Sequence, residues 1–281
     1  MSVASARSVL DLLPFARRGP GSLYRRLRSL EYLATRDRAA VWRFLTARNP
    51  VPARTRLGLV RRFYETTNAV RAYHTQSEIL EVAEAILARR RPLVVEAGCG
   101  KGASTAKLSL AVREAGGRLV VFDSFRGLPP NDESHVNLDG RPVLFRAGAF
   151  AGRLAEVERT VRTWGAIEVC DFVKGWFDDT LSGFDRAVDV ALVDVDLLAS
   201  VRTCLVRLVP RLTPGGALYT QDGHLRAVVD LLADPAFWTA QVGVAVPEIV
   251  GLGRRKFLSL RPADPVTSRR GAPSASPSCP R

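Results

Sequence analysis

The sequence has 281 residues and no apolar run approaching the ~18 that a membrane-spanning helix needs. Its four cysteines, Cys99, Cys170, Cys204 and Cys279, are scattered and form no CxxC pair. That argues against a disulfide framework or a zinc site and for reduced thiols. Residues 1–21 lack a basic segment followed by a long apolar core, so no secretory signal is expected and a cytoplasmic location is. Lysine is scarce, with 4 among the 41 basic residues. An arginine excess therefore follows the general usage of this chain.

What is present is unevenly placed. The net charge is +13, and residues 1–91 hold 18 arginines against 7 acids, a net +11. Residues 92–281 hold 23 basic and 21 acidic side chains, a net +2. The basic N-terminal arm admits two readings. One is contact with an anionic surface or partner, including peripheral attachment to a membrane; the other is a solvated polar face. No recognisable recognition module is interleaved with the charge, so no nucleic acid is expected as a partner.

The arm reads as helical. Ser22 can cap a helix with Leu23, Leu27, Leu30, Ala34, Val41 and Leu45 at helical spacing, stopped by Pro50 and Pro52. A second amphipathic pattern runs from Leu57 to Tyr73, and Thr75-x-x-Glu78 is a capping box opening a third helix. From Pro92 strands and helices alternate, as in a parallel sheet. Strands are expected at 93–96, 118–123, 167–173, 187–194 and 217–220, with a closing pair at 247–251 and 256–260. Residues 213–216 are expected to turn, and residues 124–142 to form a long loop. The expected fold is α/β, a Rossmann-like, mostly parallel, doubly wound sheet with an antiparallel closing strand behind a helical arm. The expected division is an arm or lid at 1–74, a cofactor-binding domain at 75–261 and a disordered tail at 262–281.

The stretch Val95-Glu96-Ala97-Gly98-Cys99-Gly100-Lys101-Gly102 joins the first strand to its helix. Glycines there let backbone approach a ligand. Gly98-x-Gly100-x-x-Ala103, with Asp123 ending the next strand, also satisfies a dinucleotide fingerprint. Glu96 tilts the reading. A carboxylate beside the turn opposes a pyrophosphate and suits a cationic, phosphate-free cofactor such as S-adenosylmethionine, with Asp123 on its ribose hydroxyls. Asp194, Asp196 and Asp222 end later strands at the edge where open α/β sheets bind ligands. They suit Mg²⁺ or a proton-accepting role; Asp196 can alternatively cap the following helix.

With these residues placed, the chain resembles the class I S-adenosylmethionine-dependent methyltransferases, and more narrowly the macrocin O-methyltransferase family, which methylates sugar hydroxyls in macrolide and related antibiotics. The glycine turn, Asp123-Ser124-Phe125-Arg126-Gly127-Leu128-Pro129, Lys174-Gly175-Trp176-Phe177-Asp178-Asp179-Thr180-Leu181 and Val193-Asp194-Val195-Asp196-Leu197-Leu198-Ala199-Ser200 carry it, over roughly residues 75–260. The resemblance implies that Glu96, Gly98 and Gly100 hold the methionine part, and that Asp123 with Ser124 holds the ribose. Gly175, Trp176 and Phe177 would lie against the adenine. It implies Asp194 and Asp222 as metal ligands and Asp196 as base. Where the family has an Asp-Asp-Tyr sequence, this chain reads Gln221-Asp222-Gly223, with His224 next as a second candidate base. Gln221 offers an oxygen without charge, which weakens a Mg²⁺ site.

The expected activity is methyl transfer from S-adenosylmethionine to a hydroxyl of a sugar-containing or other small-molecule natural product. The rivals are an NAD(P)-dependent oxidoreductase and a catalytically degenerate cofactor binder that docks through its arm. Expected partners are the acceptor, a second copy of the chain, and an anionic surface or partner at the arm.

Overall fold

The computed structural model describes residues 23–262. The Ser22 cap and the tail beyond residue 262 lie outside the described residues. Four helices precede the sheet: α1 (Leu23–Ala34), α2 (Arg38–Thr46), α3 (Ala53–Ala69) and α4 (Gln76–Leu87). The single first helix expected from spacing is two, and Asp37 is the reason. Its buried carboxylate accepts from Tyr64 Oη at 2.8 Å and Ser77 Oγ at 3.1 Å. Those bonds fix a break between α1 and α2. The capping box at α4 forms as read, Thr75 with Glu78.

The strands and helices that follow are β1 (Leu93–Ala97), α5 (Ala103–Glu114), β2 (Arg118–Asp123), β3 (His135–Val136), β4 (Pro142–Val143), α6 (Leu154–Trp164) and β5 (Cys170–Lys174). Then come α7 (Phe177–Thr180), β6 (Val188–Val193), α8 (Leu198–Leu208), β7 (Leu212–Thr220), α9 (Arg226–Ala233), β8 (Glu248–Val250) and β9 (Leu258–Arg261). Seven strands form one sheet in the order β5-β2-β1-β6-β7-β9-β8. The pairs from β5 to β7 are parallel, and β9 runs antiparallel to both β7 and β8. Chain order reverses beside β1, so β1 and β6 open a crevice at their carboxyl ends.

Three stretches of the sheet domain differ from the sequence reading, and the smallest difference is at residues 167–169, which form a 3-10 turn ahead of β5 and not its start. Residues 213–216 lie within β7, where Leu212 pairs with Val188 and Ala217 with Val190, so the turn-forming residues become a bulge inside the strand. The long loop contains the β3–β4 hairpin, two residues per strand and too short to carry a periodic signal.

Alternating side chains send the sheet's apolar content to both faces. Val94, Leu119, Val121, Val190 and Leu192 pack on one side, and Val95, Ala97, Val120, Phe122 and Ala191 on the other. The arm belongs to the first of these cores: Phe44, Leu59, Val60 and Phe63 are buried with α4 and α5. One of the arm's arginines is structural, since buried Arg56 donates to the carbonyls of Phe44 in the last turn of α2 and of Ala47 just past it. No helix among the described residues is long and apolar enough to cross a membrane.

The link between α3 and α4 is fastened to the sheet domain by a fully buried lysine. Lys107 on α5 donates to Thr67 Oγ1 at 2.6 Å and Gln76 Oε1 at 3.3 Å, and its Nζ lies 2.9 Å from His74 Nε2. Burial, partly opposed by Asp37, brings the lysine down to about 7. The link thus comes to rest beside the glycine turn.

Candidate active site

β1 ends just behind the crevice: Gly98, which follows it, lines both clefts, whereas Glu96 is a wall of neither. Glu96 is fully buried, and its Oε2 accepts from Thr105 Oγ1 at 2.6 Å while Oε1 has no hydrogen-bond partner. Burial pushes this carboxyl up to about 7; hydroxyls of Ser104 and Thr105 pull it back, and the charges of Asp123 and Asp194 add to the rise. Gly98 follows with φ +82°, and a Cβ there would lie 2.0 Å from the carbonyl oxygen of Asp194. The turn is therefore pressed against the end of β6, and only glycine fits.

Asp123, ending β2, receives the Cys99 N–H at 2.8 Å on Oδ2 and the Phe125 N–H at 2.7 Å on Oδ1. This ties the glycine turn to the Asp-Ser-Phe loop. Ser124 Oγ donates to the Gly127 carbonyl at 2.8 Å and accepts from Arg126 N–H at 3.1 Å, so its hydroxyl closes its own loop. Asp123 and Ser124 nonetheless line a cleft with Gly98, Gly100, Trp176 and Phe177. That cleft has a volume of about 470 Å³, counting its open mouth. Gly175 is not among its walls; its N–H donates to the Asp123 carbonyl at 3.0 Å and holds the Trp176 segment against β2.

The second cleft shares Gly98, Gly100, Phe150, Asp194 and Asp196 with the first. Asp194, Asp196 and Asp222 each bring one carboxylate oxygen within 4.8 Å of the others. Asp222 is fully buried: Oδ2 accepts from Val195 N–H and Thr220 Oγ1, both at 3.3 Å, while Oδ1 has no partner. Gln221 is buried beside it with Oε1 likewise unpartnered. Burial raises all three acids. Asp194 reaches about 6, with Lys256 opposing the rise and Glu78 adding to it. Asp196 reaches about 7, with Asp194 adding and Lys256 opposing. Asp222 rises well beyond the usual carboxylate range, with Asp194 and Asp196 adding.

Asp196 does not cap α8. The first N–H groups of that helix, Leu198 and Ala199, are bonded at 2.7 and 3.1 Å by the two carboxylate oxygens of Glu133 from the long loop. Asp196 itself has φ +62°, a backbone conformation uncommon outside glycine, and lines both clefts. His224 lines the second cleft, and its Nδ1 lies 3.2 Å from the Gln221 carbonyl. A carbonyl only accepts, so Nδ1 carries the proton and the neutral ring keeps its lone pair on Nε2. Burial, followed by the charge of Lys256, lowers this histidine.

A family model described as a methyltransferase domain matches residues 95–223. The 8-demethyl-8-(2,3-dimethoxy-alpha-L-rhamnosyl)-tetracenomycin-C 4'-O-methyltransferase of Streptomyces olivaceus is 31% identical over 185 residues, covering 62% of this chain and 70% of that protein. The solved O-methyltransferase NovP has the same fold, with a TM-score of 0.55 at 20% identity, over 83% of this chain and 99% of NovP. This chain belongs to the S-adenosylmethionine-dependent methyltransferases. The membership sets aside the oxidoreductase alternative.

The residues present fit the cofactor of a methyltransferase. Oε1 of buried Glu96 is an acceptor without a donor, and at Gly100, which lines both clefts, a Cβ would meet nothing nearer than the Phe150 carbonyl oxygen at 3.8 Å, so backbone lies bare there for a ligand. Sequence reasoning missed most of the second cleft: Arg71, Tyr73, His74, Phe145, Phe150 and Lys256 all line it. One signal was in view. Lys101 and Lys256 line that cleft and Lys107 anchors the link beside it, which is three of the four lysines in the chain.

Proposed function

We propose that this methyltransferase moves a methyl group from S-adenosylmethionine to a hydroxyl oxygen of a sugar-containing natural product. The observation that carries the reading is the meeting of Asp194, Asp196 and Asp222 at the crevice that the glycine turn also lines. The tetracenomycin rhamnosyl methyltransferase supplies the acceptor class. Bound S-adenosylmethionine contributes an electrophilic methyl group on a sulfonium that leaves as a thioether. Glu96 faces its ammonium, Asp123 its ribose hydroxyls, and Trp176 with Phe177 its adenine.

On the acceptor side Asp196 takes the hydroxyl proton as the oxygen–methyl bond forms and the sulfur–methyl bond breaks. A base near 7 suits that task at neutral pH, because a large share of it is ionised while it remains basic enough to take a proton. His224 Nε2 is the second proton acceptor within the cleft. Most of the acceleration would come from holding the two reactants in line. A divalent cation of the magnesium type suits the all-oxygen donor set, with Asp194 and Asp222 as anionic ligands and the orphaned Gln221 Oε1 as a neutral one. It would acidify and orient the acceptor hydroxyl. With one neutral ligand its binding should be weak, and chelation should lower turnover less than loss of Asp196.

The test is calorimetric titration with S-adenosylmethionine followed by mass spectrometry of a panel of glycosides. Binding plus a one-methyl mass gain on a sugar oxygen supports the reading. Binding with no transfer to any glycoside or phenol would favour a degenerate binder, and methylation at nitrogen or carbon would overturn the oxygen assignment.

A further inference from the structure

The second cleft holds cations that its acids do not pair. Arg71, Lys101 and Lys256 line it from three distant segments: the α3–α4 link, the glycine turn and the β8–β9 hairpin. None of the three has a carboxylate within ion-pair distance among the described residues. Arg71 is held without being neutralised, since its guanidinium lies over the Tyr73 ring at 5.1 Å. Stacking fixes such a group while leaving its N–H donors free. Tyr73 in turn meets Phe150 edge-on at 5.2 Å, and Phe150 meets Phe145 at 6.4 Å, so an aromatic wall stands beside the cations.

Asp194 and Asp196 are the opposing charges in the same cleft, with Asp222 behind them. In the reading above these acids serve the hydroxyl and a cation. The cofactor brings one anion of its own, the methionine carboxylate, and Lys101 stands on the turn that would carry that end. Two cations remain over. We propose that the acceptor bears a carboxylate or a phosphate close to the hydroxyl that is methylated, and that Lys256 and Arg71 bind this anion. This rests on the transfer reading and narrows its substrate to acidic glycosides. The aromatic wall would take the ring that carries both groups, and the pairing would orient the hydroxyl toward Asp196.

The test is a binding titration in the presence of S-adenosylhomocysteine. The probes are p-nitrophenyl glucuronide against its methyl ester, and a glucoside phosphate against the plain glucoside. The acid or the phosphate should bind about tenfold more tightly than its neutral partner, and the gap should shrink with salt. Whichever anion shows the larger gap identifies the source. Lys256→Met and Arg71→Met should each remove most of the gap, Lys256→Arg should keep it, and S-adenosylhomocysteine affinity should stay within about twofold. Lys101→Met should instead weaken S-adenosylhomocysteine. Equal affinity for charged and neutral probes overturns the proposal, as does a gap that survives both methionine variants. Neither result touches methyl transfer, since the titration needs no turnover. A Lys256→Met protein with reduced turnover but an intact affinity gap would show that Lys256 acts on the acids, and would also overturn it.

Discussion

The two clefts share a wall and are built from different materials. The proposed cofactor cleft is framed by a glycine turn, the end of β2 and a loop held by its own hydrogen bonds, with Trp176 and Phe177 as side-chain walls. The proposed acceptor cleft shares that turn, at residues 98–101, 103 and 104, and adds side chains gathered from residues 71–74, 145, 150, 194, 196, 224 and 256. A backbone site tolerates little, because a misplaced methyl group has nowhere to go. A side-chain site can be emptied one group at a time while the fold stands.

The sharpest way to break this contrast is Gly98→Ala. Its Cβ would sit 2.0 Å from a backbone carbonyl at φ +82°, and no rotamer relieves it. S-adenosylhomocysteine affinity should fall by more than about 100-fold in calorimetry, with a lowered unfolding temperature. Because the carbonyl belongs to Asp194, the acceptor acids should be displaced too. Gly253→Ala, also at positive φ but with no atom within 4 Å, should cost only about 1 kcal/mol. Asp196→Asn comes next. Single-turnover rates should drop by roughly 100- to 10,000-fold while cofactor affinity holds within about twofold. An unchanged rate would move the base to His224.

Glu96→Gln sharpens the comparison from the cofactor side. It keeps the hydrogen-bonding shape and removes the charge, so affinity should fall about tenfold with the maximal rate little changed. The smallest effect concerns the buried link. Lys107 falls from 10.5 to about 7 on folding, so between those values the unfolded chain binds more protons. Its contribution to stability should therefore rise with pH above about 7, by at most about 1.4 kcal/mol per unit, and be least favourable below it. Chemical denaturation across pH 6.5 to about 9.5 should show a slope that Lys107→Met flattens.

The same contrast decides what could be read in advance. The glycine turn, Glu96, Asp123 and the acids at the ends of β6 and β7 are local events, each a residue type at a fixed distance from a strand end. Their places at or beside the strand ends are as read from the sequence. Arg71, Phe150 and Lys256 have no such local mark, because they meet only after the sheet has brought segments up to 185 positions apart into one cleft. The break at Asp37 escaped for the same reason: its partners Tyr64 and Ser77 lie 27 and 40 residues away. The bulge in β7 escaped because proline and glycine mark an excursion without saying whether the strand resumes.

Glu133 has a bearing on how such an enzyme could be re-engineered. By occupying the start of α8 it leaves Asp196 out of capping that helix, so that the proposed base and the structural residue can vary separately. The loop that carries it is also the obvious segment to trade between relatives when acceptor preference is to be changed. A graft that leaves the glutamate behind would loosen the helix that follows the Asp-x-Asp pair and be misread as a loss of specificity. A graft that carries it along moves a ready-made hinge pin with the loop.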